Sequence, residues 1–123
     1  MKLTVFRSGQ IPAREQIYNQ IKEQITSGDL PPDFCLPSIR KVSSETGVSV
    51  ITVKNAYEQL EQNGFVEARA GSGFYVLPQS RDKMDGLRAE TLAGLAYAVR
   101  KCAAVGLTER EMIETVESEM RSR

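Results

Sequence analysis

Histidine is absent from the 123-residue sequence, and cysteine occurs only twice, at Cys35 and Cys102. The absence of histidine removes the commonest general base and the commonest protein ligand of transition metals. A structural zinc site needs about four ligands, so two cysteines far apart in the sequence do not supply one. We therefore expect no metal and no cofactor, and we expect both cysteines to be reduced and inert thiols.

Long hydrophobic runs are also missing. The apolar segments span only a few residues each, whereas a transmembrane helix needs about 20. The segment Met1–Arg7 is too short and too polar for a secretory signal. We therefore expect a cytoplasmic protein with no membrane partner. Its hydrophobic fraction of 41% and charged fraction of 26% are typical of a soluble globular chain.

The excess of positive charge that is typical of nucleic-acid-binding proteins is missing as well. The sequence has 16 basic and 16 acidic side chains, and a division after Ser80 leaves eight of each on either side. The segment between Arg40 and Lys54 departs from this balance, because it holds three basic residues and one acid, Glu45. This local positive excess can therefore attract a polyanionic partner, although the whole chain carries no net charge.

Apolar residues recur at helical spacing in three segments that follow a mixed segment, residues 1–11, which is expected to be a loose lead-in. Proline or serine precedes each helix, and glycine or Asn-Gly ends it. The boundaries are Pro12 and Gly28, Pro37 and Gly47, and Ser49 and Asn63-Gly64. The short turn between the second and third helices has helix-turn-helix spacing.

Two apolar segments, 65–69 and 74–77, predict strands directly after the third helix. Gly71 and Gly73 lie between them and suit the positive φ angles of a tight hairpin. A hairpin at this position turns a helix-turn-helix into a winged helix. The expected fold class is thus mainly α with a small β-hairpin, and the winged helix-turn-helix domain is expected over residues 1–77.

A polar linker is expected over residues 78–85, and a helical dimerisation region over residues 86–123. Gly106 ends the first of its two helices, and Thr108-Glu109-Arg110-Glu111 is a capping box for the second. A helical hairpin of roughly 40 residues cannot bury its own apolar faces, so it must pack on the first domain or on another chain. We expect pairing with a second protomer through Leu92, Leu95, Val99, Met112, Ile113 and Val116.

The third helix carries candidate DNA contacts. Its core positions leave Val50, Ile51, Lys54 and Asn55 on the opposite face. A helix in the major groove contacts bases with residues near its N-terminus. Asparagine can pair with adenine, hydroxyl groups can bond to bases or phosphates, and aliphatic side chains can touch the thymine methyl group. The alternative is a solvated helix face with scattered charges.

Two further groups could contact the DNA backbone. Arg40, on the second helix, is close enough to reach phosphates. At the hairpin tip, Arg69 supplies charge, while Gly71, Ser72 and Gly73 allow the backbone to approach a phosphate or a minor groove. A plain turn explains the glycines equally well.

Several motifs occur together in order and at defined spacing: Leu36-Pro37-Ser38-Ile39-Arg40, Gly47-Val48-Ser49, Ala56-Tyr57-Glu58-Gln59-Leu60-Glu61 and Gly71-Ser72-Gly73-Phe74-Tyr75-Val76. They resemble the DNA-binding domain of the GntR family of bacterial transcription regulators, and the resemblance covers residues 10–77. The short helical tail resembles that of the YtrA-type subfamily, in which the tail serves dimerisation.

The resemblance implies a homodimer that binds a palindromic double-stranded DNA operator and acts as a repressor; it assigns no small-molecule effector. It also implies DNA contacts by Arg40, Ser49, Val50, Thr52, Lys54 and the wing glycine, Gly71. Many relatives have arginine at the position of Val50. Valine cannot pair bidentately with guanine, so the operator preference of those relatives is not expected here.

Two other classes of function make different demands on the sequence. A winged helix used for protein–protein assembly would keep the core and the caps but discard the exposed Arg40, Lys54 and the glycine-rich wing. An enzyme would need a polar pocket or a recognisable motif, and no Walker, GxGxxG or nucleophile-elbow pattern is present. The sequence therefore predicts a sequence-specific DNA-binding regulator and not an enzyme.

Overall fold

Five α-helices and one two-stranded antiparallel sheet form the part of the chain that the computed structural model describes, residues 1–122. The chain divides into two units after Ser80. The first contains α1 (Ala13–Thr26), α2 (Ile39–Thr46), α3 (Val50–Gln62), β1 (Val66–Arg69) and β2 (Gly73–Val76); the second contains α4 (Arg81–Ala104) and α5 (Glu109–Arg121). The predicted class, mainly α with a small β-hairpin, is confirmed.

The core of the first unit lies between α1 and α3. Ile17 and Ile21 on α1 and Val53 on α3 are completely buried, because each helix presents an apolar stripe at helical spacing. Burial of one such side chain contributes about 1.5–3 kcal/mol. Tyr57 is buried beside them, and its hydroxyl donates a hydrogen bond to the Pro37 carbonyl at 2.7 Å. Burial raises the pKa of the Tyr57 phenol, so the group remains a neutral donor.

Helices α2 and α3 form the predicted helix-turn-helix. Helix α2 ends at Gly47, whose φ of 75° lies in the left-handed region that glycine adopts without strain. Val48 follows in the turn and is buried. The Ser43 hydroxyl donates to the Val48 carbonyl at 2.6 Å, and Ser49 caps α3 by accepting a hydrogen bond from the Thr52 amide. The predicted end of α2 and start of α3 are confirmed.

The wing is a hairpin with a three-residue tip, 70–72. Strand β1 pairs with β2 from Val66 opposite Val76 to Arg69 opposite Gly73. Gly71 at the tip has a φ of 69°, as the hairpin geometry predicted.

A short segment before α2, residues 34–36, flanks β2 on its other edge. The Leu36 amide donates to the Phe74 carbonyl at 2.8 Å. Cys35, in the same segment, forms an isolated β-bridge with Tyr75 and is a free thiol, as is Cys102. The wing is therefore anchored to the chain that leads into the helix-turn-helix.

Residues 1–6 form no helix or strand, but hydrogen bonds hold them along α1, so the expectation of a loose lead-in is wrong for this segment. Three glutamines spaced four residues apart on α1 each bond both backbone groups of one residue of this segment, at 2.6–3.1 Å. The pairs are Gln24 with Lys2, Gln20 with Thr4, and Gln16 with Phe6. We call these three pairs the glutamine ladder and residues 1–7 the N-terminal arm.

The ladder forms because the spacing of the glutamines along α1 matches the spacing of alternate residues along the arm. Four helical residues rise about 6 Å, and two extended residues advance about 6.6 Å. Every second residue of the arm therefore meets the next glutamine of α1. The bonds join residues 10–22 positions apart, so no local periodicity indicates them.

The second unit has the predicted turn between its helices. Gly106 has a φ of 88°, and the Leu107 amide donates to the Cys102 carbonyl at 3.0 Å, which is a Schellman motif. Thr108 and Glu111 form the predicted capping box. The two helices do not pack against each other along their length, and no side chain of residues 81–122 is buried. Two narrow apolar stripes are insufficient to form a core on their own.

The predicted linker over residues 78–85 is shorter in the structure, because α4 begins at Arg81. Asp82 lies in its first turn, where an acidic side chain interacts favourably with the helix dipole. Polar residues suit an exposed helix as well as a loop, so composition does not distinguish the two. Within residues 1–122, no helix is both long and apolar enough to cross a membrane.

Candidate nucleic-acid interface

Helix α3 presents an uncovered face beginning in its first turn. Val50 and Ile51 are 46% and 70% exposed, and Lys54 and Asn55 follow one turn later, also exposed. The buried positions of α3 lie on the opposite side, as the spacing predicted. The face therefore offers an amide, an ammonium group and two aliphatic side chains. These groups are chemically suited to base edges and to thymine methyl groups.

The start of α3 is fixed by two hydroxyl side chains. Ser49 Oγ accepts a hydrogen bond from the Thr52 amide at 3.2 Å and shares a second one with Thr52 Oγ1 at 2.7 Å. This cap orients the first turn, whose other amides point along the helix axis. The positive end of the helix dipole favours a phosphate at this position.

Cationic side chains lie on both helices of the motif. Arg40 and Lys41 are exposed in the first turn of α2, and neither forms an ion pair with another of residues 1–122. Lys54 Nζ lies 3.7 Å from Glu58 Oε1, and both side chains are largely exposed. An exposed pair of this kind contributes about 0–1 kcal/mol, so a phosphate can replace the carboxylate.

Arg69 is already engaged within the wing. Its Nη2 lies 2.7 Å from Asp33 Oδ1, its Nε lies 3.0 Å from Glu67 Oε1, and its guanidinium carbon lies 4.2 Å from the centroid of the Tyr75 ring. Hydrogen bonds to Asp33 and then to Glu67 raise the pKa of Arg69. The side chain therefore braces the wing, and its contact with DNA stays a prediction.

The wing tip itself is accessible. Gly71, Ser72 and Gly73 are exposed, and a Cβ placed on Gly71 would meet open space. The Ser72 hydroxyl shares a hydrogen bond with the Tyr75 hydroxyl, which holds the tip against β2. The exposed tip leaves room for a phosphate to approach its backbone, and this contact stays a prediction.

The residues predicted for the dimer interface lie on uncovered stripes of the second unit. Met112 is half-exposed, and the other five are exposed by 44–67%. The six residues are Leu92, Leu95, Val99, Met112, Ile113 and Val116.

Arg7 is a residue that the sequence does not single out. It follows the glutamine ladder directly, and its Nη2 donates to the Gly47 carbonyl at 2.9 Å, inside the turn between α2 and α3. The two residues are 40 positions apart and share no motif. Only the fold brings a guanidinium group to this turn.

A three-helix core, a glycine-tipped wing and an uncovered recognition-helix face define the winged helix-turn-helix class of DNA-binding domains. The sequence profile described as "Bacterial regulatory proteins, gntR family" matches residues 13–76. The transcriptional regulator YhcF of Bacillus subtilis is 31% identical over 110 residues, which cover 87% of this chain and 88% of YhcF. The chain belongs to the GntR family of bacterial transcription regulators.

Another relative is longer than this chain. The HTH-type transcriptional repressor NagR of Bacillus subtilis is 32% identical over 106 residues, which cover 86% of this chain and 41% of NagR. A relative from Escherichia coli, the transcriptional regulator YdcR, is 44% identical over 66 residues, which cover 54% of this chain and 14% of YdcR. The chain thus spans less than half of these two relatives. All three are named as transcriptional regulators, which is a non-enzymatic role.

Solved structures agree with this assignment. A transcriptional antiterminator from Listeria monocytogenes matches 98% of this chain and 90% of its own at a TM-score of 0.79 and 27% identity. YtrA from Sulfolobus acidocaldarius matches 75% of this chain and 95% of its own at a TM-score of 0.59 and 33% identity. The AraR DNA-binding domain, solved with operator ORE1, matches 61% of this chain and 99% of its own at a TM-score of 0.56 and 25% identity. A YtrA-type tail is compatible with these matches.

Proposed function

We propose that the chain binds a palindromic DNA operator as a homodimer and represses transcription. The observation that carries this proposal is the uncovered face of α3 directly after its hydroxyl cap, in a protein of a DNA-binding family. Two relatives support it, since the AraR domain was solved with operator DNA and NagR is named a repressor.

The proposed contacts divide by chemistry. Arg40 binds a backbone phosphate, because it is an exposed cation with no ion pair among residues 1–122. The start of α3 contacts base edges in the major groove through Ser49, Val50, Thr52, Lys54 and Asn55. The wing contacts the backbone or the minor groove through Arg69, Gly71, Ser72 and Gly73.

The helical tail supplies the proposed dimer interface. Its apolar stripes are uncovered in the single chain, and a two-fold axis would bury the same stripe on both chains at once. At about 25 cal/mol per Å² of apolar area, an interface of about 1,600 Å² holds a dimer after association entropy is subtracted. Two recognition helices would then contact half-sites about 34 Å apart, or a multiple of that distance.

Selection of duplexes from a random-sequence pool with the full-length protein tests the proposal. Sequencing of the retained DNA should reveal an inverted repeat whose centre is a two-fold axis. A direct repeat or a single half-site would contradict the palindrome. Failure to retain or shift any duplex would favour the other candidate, a winged helix that binds another protein.

The sign of regulation needs a separate measurement. A reporter promoter that carries the selected repeat should give less transcript when the protein is present. Scrambling one half-site serves as the matched control and should restore transcription. Increased transcription from the intact repeat would identify an activator instead.

A further inference from the structure

The N-terminal arm leads into a short exposed loop, residues 7–10, that is held at both ends. Gln16 Nε2 donates to the carbonyl of Phe6 at 2.8 Å and to that of Ile11 at 2.7 Å. One amide of α1 therefore fixes both ends of residues 7–10. The rest of the glutamine ladder holds the preceding residues against α1, so Arg7 projects from a fixed backbone.

Arg7 reaches the turn of the helix-turn-helix from this loop. Its Nη2 donates to the carbonyl of Gly47, two residues before the cap of α3 at Ser49. A Cβ placed on Gly47 would collide with the same guanidinium group. Glycine at this position therefore serves the close approach of Arg7 as well as the positive φ of the turn.

Within residues 1–122, Arg7 uses only part of its hydrogen-bonding capacity. A guanidinium group has five N–H donors, and among residues 1–122 the Arg7 side chain donates one hydrogen bond, to the Gly47 carbonyl. The side chain is exposed and forms no ion pair among residues 1–122. Arg69 differs, because two carboxylates compensate its charge.

We propose that the N-terminal arm is a DNA-contacting element and that Arg7 binds a backbone phosphate beside the turn between α2 and α3. This inference rests on the proposed operator binding. Guanidinium matches phosphate geometry bidentately, and the prior fixing of the backbone reduces the entropy lost on binding. The contact adds affinity for every sequence, because phosphates carry no base information.

The test is the salt dependence of DNA binding by full-length Arg7→Gln protein. We expect binding weaker by about three- to tenfold near 0.1 M salt, with the slope of log K against log salt reduced by about one. The selected sequence should not change. Lys2→Gln is the matched control, since it removes the same charge from the far end of the arm. It should leave both the affinity and the slope within error.

The glutamine ladder supplies a second variant. Gln20→Ala removes the central rung and should weaken DNA binding, because the arm no longer holds Arg7 at the turn. Gln62→Ala, on α3 and outside the ladder, should not. The double variant Gln20→Ala with Arg7→Gln should bind no more weakly than Arg7→Gln alone, since both changes remove the same contact.

Two results would overturn the inference. If Arg7→Gln lowers the melting temperature but leaves the salt slope unchanged, Arg7 only caps the Gly47 carbonyl. If Lys2→Gln reduces the slope equally, the effect is general charge and not a local contact. Wild-type protein that binds no DNA would instead refute the proposed function itself, so the two failures are distinguishable.

Discussion

At the scale of single residues, charge compensation separates cations of the same type. Arg69 lies between Asp33 and Glu67, whereas Arg40 has no carboxylate in ion-pair range among residues 1–122. A phosphate that meets Arg69 must compete with two hydrogen-bonded carboxylates, but one that meets Arg40 displaces only water and counterions. Glu67 is two positions from Arg69 in the sequence, but Asp33 is 36 positions away, so the sequence alone does not show that two carboxylates surround Arg69.

Replacing Arg40 tests this distinction. Arg40→Gln should weaken binding to all duplexes and reduce the salt slope by about one, because one phosphate contact releases about one counterion. Affinities measured between 50 and 200 mM salt check it. Lys22→Gln on α1 removes the same charge and should have little effect. A loss confined to one base pair of the operator would show that Arg40 contacts a base.

We predict that Val50 determines which bases the first turn of α3 can distinguish. Val50→Arg should move the selected half-site toward guanine, with about 1–3 kcal/mol of discrimination, because arginine bonds bidentately to guanine and valine cannot. Gln62→Arg adds the same charge near the C-terminal end of α3, far from its first turn, and is the control. Sequencing of selected duplexes separates the two. An unchanged motif for Val50→Arg would place this residue outside the groove.

At the scale of elements, local signals account for the helices and the wing. Helical spacing of apolar residues, Ser49 as a cap and Gly106 as a stop are short-range features, and the structure confirms them. The N-terminal arm was not predicted, because its backbone groups form hydrogen bonds with glutamines up to 22 positions away. The start of α4 at Arg81 was not predicted either, since polar residues before Gly86 are compatible with either a loop or an exposed helix.

The same reasoning applies to the candidate interface. The faces of α3 follow from periodicity, so the exposure of Val50 and Lys54 was predictable. The approach of Arg7 to Gly47 depends on the packing of the whole first unit, and no pattern along the chain encodes it.

The contribution of the wing tip to DNA binding can be tested without changing any charge. Gly71 has a φ of 69° and open space around it, so Gly71→Val is strained only through its backbone, by about 1–3 kcal/mol. The variant should stay folded but bind DNA more weakly with an unchanged motif. Ala70→Val adds similar bulk at the neighbouring tip position without a positive φ and is the control. Unaltered affinity in folded Gly71→Val protein would identify the wing as a passive turn.

At the scale of the whole molecule, the two units differ in how they use apolar side chains. All the buried apolar side chains of residues 1–122 lie in the core of residues 1–80, while residues 81–122 bury none. The helices of the second unit nonetheless have defined ends, through a Schellman motif after α4 and a capping box before α5. Well-formed helices with uncovered apolar stripes indicate that another surface completes their packing.

We predict that this surface belongs to a second copy of the chain. Val116 is 51% exposed on the stripe of α5, so Val116→Glu should place a charge in the proposed interface and dissociate the dimer. Ser118→Glu adds the same charge to the opposite face of α5 and should leave the dimer intact. Sedimentation at micromolar concentration should show a dimer for the wild type and Ser118→Glu, and a monomer for Val116→Glu. The monomer should also bind the inverted repeat weakly and without cooperativity, because its half-sites are no longer linked. A monomeric wild type that binds the repeat tightly would contradict this account.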